Sequence, residues 1–205
     1  MRHALTFGAG LCLVAALAAP GLRPDVSASE KAPAVASLTL DNVHLRAADP
    51  VAAAKWYVDH LAARPGVGPT QVVFGDFVIA FVKTDRPQPS LGSVIDHIAV
   101  SVTDVNARAA AMMSAGATRQ AATRDLPGFD ERIVLVDPFG VSIELLKDGR
   151  PGFHHVHLRV PQPTKALDWF SSMLGGSRAT LRKRTDGVRF GQFWLLADAS
   201  GSETP

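Results

Sequence analysis

Seven histidines are spread along this 205-residue sequence. Their strand positions suggest metal or acid–base chemistry. His154, His155 and His157 stand together in "FHHVHLRVPQP", His44 lies in "NVHLR", and His97 lies in "IDHIAVSVTD". Side chains alternate faces along a strand. Asn42 and His44 therefore share one face, and His155 and His157 share another, while His154 points away and is expected to be exposed. By the same alternation, Glu144 in "GVSIELL" shares a face with Ser142, opposite Ile143 and Leu145. A carboxylate on so apolar a strand needs a partner if it is buried. The only cysteine, Cys12, falls in the N-terminal segment. Outside that segment there is no thiolate, and a metal site must use imidazole and carboxylate. A histidine on a strand face is also, quite ordinarily, a satisfied polar residue, and both readings stand at this point. Arg46 and Arg159 fall on the faces of His44 and His157 if the alternation persists. There they meet an anionic substrate or simply face solvent.

The elements that would position these residues recur. "NVHLRAADPVAAAKWYVDHL" (42–61) aligns without a gap on "HVHLRVPQPTKALDWFSSML" (155–174), and "VVFGDFVIAF" (72–81) resembles "VRFGQFWLLA" (188–197). Two blocks in the same order imply an internal repeat. The middle of the chain has the same order in other words. It shows an alternating strand at 95–104, a helical stretch at 105–117 with Thr103 or Asp104 as cap and Gly116 as stop, and a hairpin at 132–146 around Asp-Pro-Phe-Gly. The outer helices begin at Pro50 and Pro163, where a fixed φ suits a first turn. Trp56 and Trp169 fall on their apolar faces and are expected in the core. The units span 38–83, 94–147 and 153–198, the last a partial copy, with a tail at 199–205. The fold class is α+β, with tandem βαβββ modules, each a strand, a helix and a short run of strands. On the middle unit's strand, His97 aligns with Asn42 and His155 rather than with His44.

"IDHIAVSVTD" followed by "VDPFGVSIELL" resembles the vicinal oxygen chelate superfamily of glyoxalase-like, bleomycin-resistance-like and extradiol-dioxygenase-like proteins. The resemblance covers about 38–198. It implies that two units pair into a cup that holds a divalent metal, with ligands from the first and last strands of each unit. The middle unit supplies His97 and Glu144 in those slots. The first unit has Asn42 in its slot, with His44 two residues on, and "DFVIAFV" offers no further ligand. The resemblance thus implies a trio of His44, His97 and Glu144, similar to a facial triad with open positions for two adjacent substrate oxygens. Asn42, His155 and His157 are the alternatives. Zn²⁺, Mn²⁺, Fe²⁺ or Ni²⁺ suits such donors, and an oxidising compartment favours Zn²⁺ or Mn²⁺. The implied activities are isomerase or lyase chemistry, or dioxygenation, on a small molecule. A metal-free binding protein of the resistance type is the competing reading. Asp130 or Glu131 on the loop 121–132 is placed to act at the rim of the cup. The third unit has no following copy to pair with, so it closes on the middle unit, covers the first pair, or forms a homodimer.

Residues 1–28 have a basic start, an apolar run without charge and small residues at Val26–Ala28. These are the marks of a signal peptide cut after Ala28, followed by a flexible lead-in at 29–37 and implying a periplasmic or secreted protein. The run is too short and too rich in Gly and Ala for a comfortable membrane span, so no membrane attachment is expected of the mature form. A net charge of +2 gives no electrostatic case for nucleic acid.

Overall fold

In a computed structural model of the chain, residues 41–120 and 132–200 are described. The expected signal segment, the lead-in, Asp130 and Glu131 lie outside them. No described helix is long and apolar enough to cross a membrane.

Each third of the described chain runs strand, helix, then three strands. The first has β1 (Asn42–Ala47), α1 (Pro50–Leu61), β2 (Arg64–Pro65), β3 (Gln71–Phe74) and β4 (Phe77–Lys83). The middle has β5 (Ile95–Ser101), α2 (Val105–Ser114), β6 (Thr118–Arg119), β7 (Arg132–Val136) and β8 (Ser142–Leu146). The last has β9 (Gly152–Val160), α3 (Pro163–Leu174), β10 (Ser177–Leu181), β11 (Thr185–Phe190) and β12 (Phe193–Ala199). The fold is α+β with mixed sheets, as the alternating strands and short helices led us to expect.

Local chemistry sets the helix starts. Asp49 Oδ1 accepts hydrogen bonds from the Val51 and Ala52 amides at 3.1 and 3.0 Å, and Pro50 opens α1 behind this cap. Asp104, rather than Thr103, caps α2 by accepting from the Ala107 amide at 2.9 Å. Gly116, at φ 94°, lets the chain turn directly out of that helix.

The sheets divide the thirds unequally. β1–β4 form a four-stranded sheet of their own in the order β1-β4-β3-β2. The middle and last thirds join in one eight-stranded sheet, β10-β11-β12-β9-β5-β8-β7-β6. The join is the antiparallel pair β5–β9, in register at His97↔His157, Ile98↔Val156 and Ala99↔His155. The pairing of first and middle units implied by the resemblance is corrected here: the middle unit closes on the third. Because β9 has β5 on one side and β12 on the other, edge-to-edge dimerisation through that strand is closed.

The first third docks through side chains. Trp56 donates its indole N–H to the Ala115 carbonyl at 2.9 Å, Arg108 donates to the His60 carbonyl at 2.9 Å, and Phe77 stacks on Phe153 with ring centroids 3.8 Å apart. Its core residues are continuous with those of the large sheet. Trp56 is accordingly only 8% exposed. Trp169, expected in the core as its repeat equivalent, is 55% exposed. The reason is packing: α1 lies against α2, whereas α3 packs on the strands of its own third and buries Leu167 alone.

One further clasp joins first and middle thirds. Tyr57, fully buried, donates to Asp137 Oδ2 at 2.9 Å, and Asp137 Oδ1 accepts from the Phe139 and Val141 amides at 2.8 Å each. Asp137 thus shapes the Asp-Pro-Phe-Gly turn and anchors α1 together. Burial pushes its pKa up to about 6, against the pull of these hydrogen bonds. Burial and the Asp137 carboxylate push the Tyr57 phenol well above its usual value. A carboxyl whose folded pKa exceeds its unfolded one contributes stability that is complete below the unfolded value and lost as pH rises through the folded one. Wild type should therefore lose about 2–3 kcal/mol relative to Asp137→Asn as pH rises from below about 4 to above about 6, since each pKa unit is worth about 1.4 kcal/mol. Urea unfolding of both proteins across that range measures it; a constant difference contradicts it.

Candidate metal centre

The β5–β9 seam brings histidines together. His97, His155 and His157 each offer a ring nitrogen, and the three lie within 4.8 Å of one another. His97 Nε2 stands 3.5 Å from His155 Nε2 and 3.3 Å from Glu144 Oε2. Glu144 sits on β8, whose parallel pairing with β5 sets it beside Ala99, two residues from His97 and on the same face. The resulting cavity, about 230 Å³, is lined by these four residues with Arg132, Arg159, Ser142, Leu196 and others.

The site has an approximate twofold logic. Registers around Ile98↔Val156 make His97 and His155 equivalent, one from each third. Glu144 pairs with Ala99 in the middle third, and Leu196 pairs with His157 in the last. The slot that mirrors Glu144 therefore holds Leu196, an apolar residue. His157 takes the mirror position of Ala99 and supplies the third imidazole from the same strand.

Both equivalent histidines are held from behind. His97 Nδ1 lies 2.9 Å from Asp96 Oδ2, and His155 Nδ1 lies 2.8 Å from His154 Nδ1, whose Nε2 lies 3.4 Å from Asp148 Oδ2. With Nδ1 engaged, each ring turns Nε2 into the cup, which is how histidines are oriented for metals. Asp96 is anchored in turn by the Gly92 amide at 2.9 Å and by Arg159 at 3.4 Å. His157 Nε2 is 3.1 Å from Asp198 Oδ2, and this contact lowers the Asp198 pKa from its usual value.

The electrostatics are tightly coupled. Burial raises the Glu144 carboxyl, but the His97 contact, the His155 and His97 charges and the Arg132 bond outweigh it and hold its pKa far below the usual carboxylate range. Burial disfavours the His97 cation, yet Asp96 and Glu144 more than compensate, so its pKa is raised. Burial opposes ionisation of Asp96 too, but its bonds to His97 and Gly92 bring its pKa to about 2. His155 and His154 go the other way. Burial lowers both, His155 strongly, and favours their neutral, ligand-competent forms.

Of the trio implied by the resemblance, His97 and Glu144 come together and His44 does not. His44 and Asn42 lie on the exposed face of β1, in the other sheet, and this corrects the trio. Its place is taken by His155 and His157, named as alternatives. Arg46 shares the exposed face of His44, whereas Arg159 lines the cup. His154, expected on the surface, is buried. Asp96, Asp148, Arg132 and Asp198 were not legible as site residues. For Asp96, strict alternation puts it on the face opposite His97. The register shift between Ile95 and His97 lets its side chain reach the ring.

A larger cavity of about 550 Å³ between the first and middle thirds is lined by Leu61, Arg64, Val102, Asp104 and Arg108 among others. No histidine is among the residues that line it.

A family model for a glyoxalase-like domain matches residues 38–146. A mutant of glyoxalase I from Zea mays is similar in structure, with a TM-score of 0.61 at 15% identity, over 80% of this chain and 69% of that one. A candidate dioxygenase from Bacillus subtilis gives 0.56 at 13% identity, over 82% of this chain and 65% of that one. At such identities the likeness is one of fold. No curated protein matches the sequence.

Asp96→Asn should lower the His97 pKa, because it removes a carboxylate that raises it. An imidazole NMR titration of the metal-free protein reads this directly. An unchanged His97 titration would show that Asp96 does not support the ring.

Proposed function

The chain belongs to the glyoxalase-like family of the vicinal oxygen chelate superfamily, and from that premise we propose that it is an exported, divalent-metal-dependent enzyme acting on a small molecule with two adjacent oxygens. One observation carries the reading: three imidazoles with nitrogens within 4.8 Å, beside a carboxylate 3% exposed, line one buried cup. Clustered imidazoles with a carboxylate are a donor set that suits a divalent cation. The donors fit such an ion. His97, His155 and His157 would hold it with Glu144, and the absence of thiolate suits Zn²⁺ or Mn²⁺, with Fe²⁺ and Ni²⁺ also accepted by these ligands. When bound, the metal supplies a Lewis acid to the substrate oxygens.

The chain's own residues do the rest. Asp96 and His154 fix the two equivalent rings. Glu144 contributes the negative charge that offsets part of a dication, and so serves as a ligand rather than as a base. Leu196 and Leu181 close one wall of the cavity, excluding water from the reacting oxygens. About 230 Å³ is below the usual range of drug-sized pockets, so the substrate is small. With Zn²⁺ the site would support isomerase or lyase chemistry, whereas dioxygenation would need a redox-active ion such as Fe²⁺. Export rests on the N-terminal sequence.

A second reading, a metal-free binding protein, is favoured by Leu196 in the mirror slot of Glu144 and by the occupation of Glu144 by Arg132. Metal addition separates the two. An ion at a hundredfold excess over its Kd stabilises the fold by about 2.7 kcal/mol, a rise of roughly 5–10 °C in melting temperature for a chain of this size. Chelator-treated wild type should show that rise with Zn²⁺ or Mn²⁺. His155→Ala should abolish it, and His44→Ala should leave it intact. No rise with Zn²⁺, Mn²⁺, Fe²⁺ or Ni²⁺ would leave the binding-protein reading.

A further inference from the structure

The carboxylate of the cup is already claimed by a guanidinium. Arg132 Nη2 lies 2.8 Å from Glu144 Oε2, the same oxygen that His97 Nε2 approaches at 3.3 Å. Arg132 is on β7, where Val134 pairs with Glu144, so Arg132 lies two residues along on the cup-facing side. Its side chain is mostly buried and lines the cavity. Arg159, paired with Asp96 at 3.4 Å, lines the same cavity and comes from β9.

In this arrangement Arg132 supplies the positive charge that a dication at the imidazoles would otherwise bring to Glu144. The two cannot hold the same oxygen at full strength. A cation held through Glu144 would compete with Arg132 for the charge of that carboxylate and would leave the buried guanidinium less fully compensated, which is costly. The guanidinium then needs another planar or tetrahedral oxyanion, the group that its paired N–H donors match. The imidazoles that would hold a metal line the same small cavity as Arg132.

We infer that Arg132 is the anion-binding residue of the cup, freed from Glu144 when the metal binds, and that the substrate is a small oxyacid whose carboxylate or phosphonate lies next to a second oxygen. This rests on the metal reading above and deepens it. It makes binding ordered: metal first, then anion. It also makes the two mutually reinforcing, because coupling between two ligands is reciprocal.

The probes are glycolate, which carries a hydroxyl beside a carboxylate, and 1,2-ethanediol, which has the same adjacent oxygens and no charge. Methylphosphonate and acetate then separate phosphonate from carboxylate preference. Zinc affinity is measured first, by calorimetry on the apo full-length chain and its variants. Glycolate and 1,2-ethanediol are then titrated into apo and zinc-loaded protein. Wild type should bind glycolate at least about tenfold more tightly than the diol and more tightly with zinc than without, in line with a charge-assisted hydrogen-bond pair. Arg132→Gln should keep or improve zinc affinity, which also shows that it folds, and lose about tenfold in glycolate affinity. Should Arg132→Gln not fold, Arg132→Lys carries the test, keeping the charge but not the paired donors and losing a smaller part of glycolate affinity. Zinc binding with equal affinity for glycolate and diol, or glycolate affinity unaffected by either variant, overturns this inference alone. Wild type that takes up no zinc and shows no rise in melting temperature with Mn²⁺, Fe²⁺ or Ni²⁺ overturns the metal reading, and this inference with it.

Discussion

The antiparallel seam between β5 and β9 is the constraint on which the site depends. Each of these opening strands carries a parallel partner from its own third, β8 for β5 and β12 for β9. Joining them edge to edge builds one continuous sheet of eight strands. Their register centres on Ile98↔Val156 and puts His97 and His155 on the same side of the sheet. A slip of one residue would send every one of these side chains to the other face. The buried Ile98 and Val156, packed into the core on the opposite face, oppose that slip. The same apolar contacts that hold the sheet together therefore fix the spacing of the imidazoles.

Within that frame the polar groups of the cup compensate one another. Glu144 is buried and ionised because His97 and Arg132 share its charge. Asp96 is ionised because His97, Gly92 and Arg159 surround it. His155 is neutral because burial outweighs the nearby carboxylate. Such a network is worth keeping only when complete, since a half-satisfied buried charge costs more than an apolar core. His157 joins the network through Asp198, 3.1 Å from its Nε2. The departure from twofold symmetry places Glu144 on one side of the cup and Leu196 in the matching position on the other.

Much of this was legible in the sequence. The order strand, helix, three strands could be read from alternation, from Pro50 and Pro163, and from the Asp-Pro-Phe-Gly turn. The resemblance paired His97 with Glu144, in the first- and last-strand slots of the middle unit, and the register of β5 on β8 brings the two side chains to one face. What counting along a strand does not give is which strand lies beside which. "NVHLR" and "HVHLR" are nearly the same words, yet β1 stays in a separate sheet with His44 outward while β9 lies beside β5. That choice is made by tertiary contacts, among them Trp56 on Ala115, Tyr57 on Asp137 and Phe77 on Phe153, which hold the first third against the other two by its helix and hairpin. The same contacts explain why Trp56 is buried and Trp169 is not. Asp96 and His154 escaped notice because a register irregularity and a ring-to-ring bond bring to the site residues that alternation assigns elsewhere.

The central claim is that the seam between the middle and last thirds, and not the first third, forms the metal centre. Crystals of the zinc-loaded protein, with diffraction data collected above and below the zinc absorption edge, test it most directly. The account predicts one strong anomalous peak bounded by Nε2 of His97 and His155, a ring nitrogen of His157 and the carboxylate of Glu144. A peak beside His44, or full zinc loading with no peak in the cup, would contradict it.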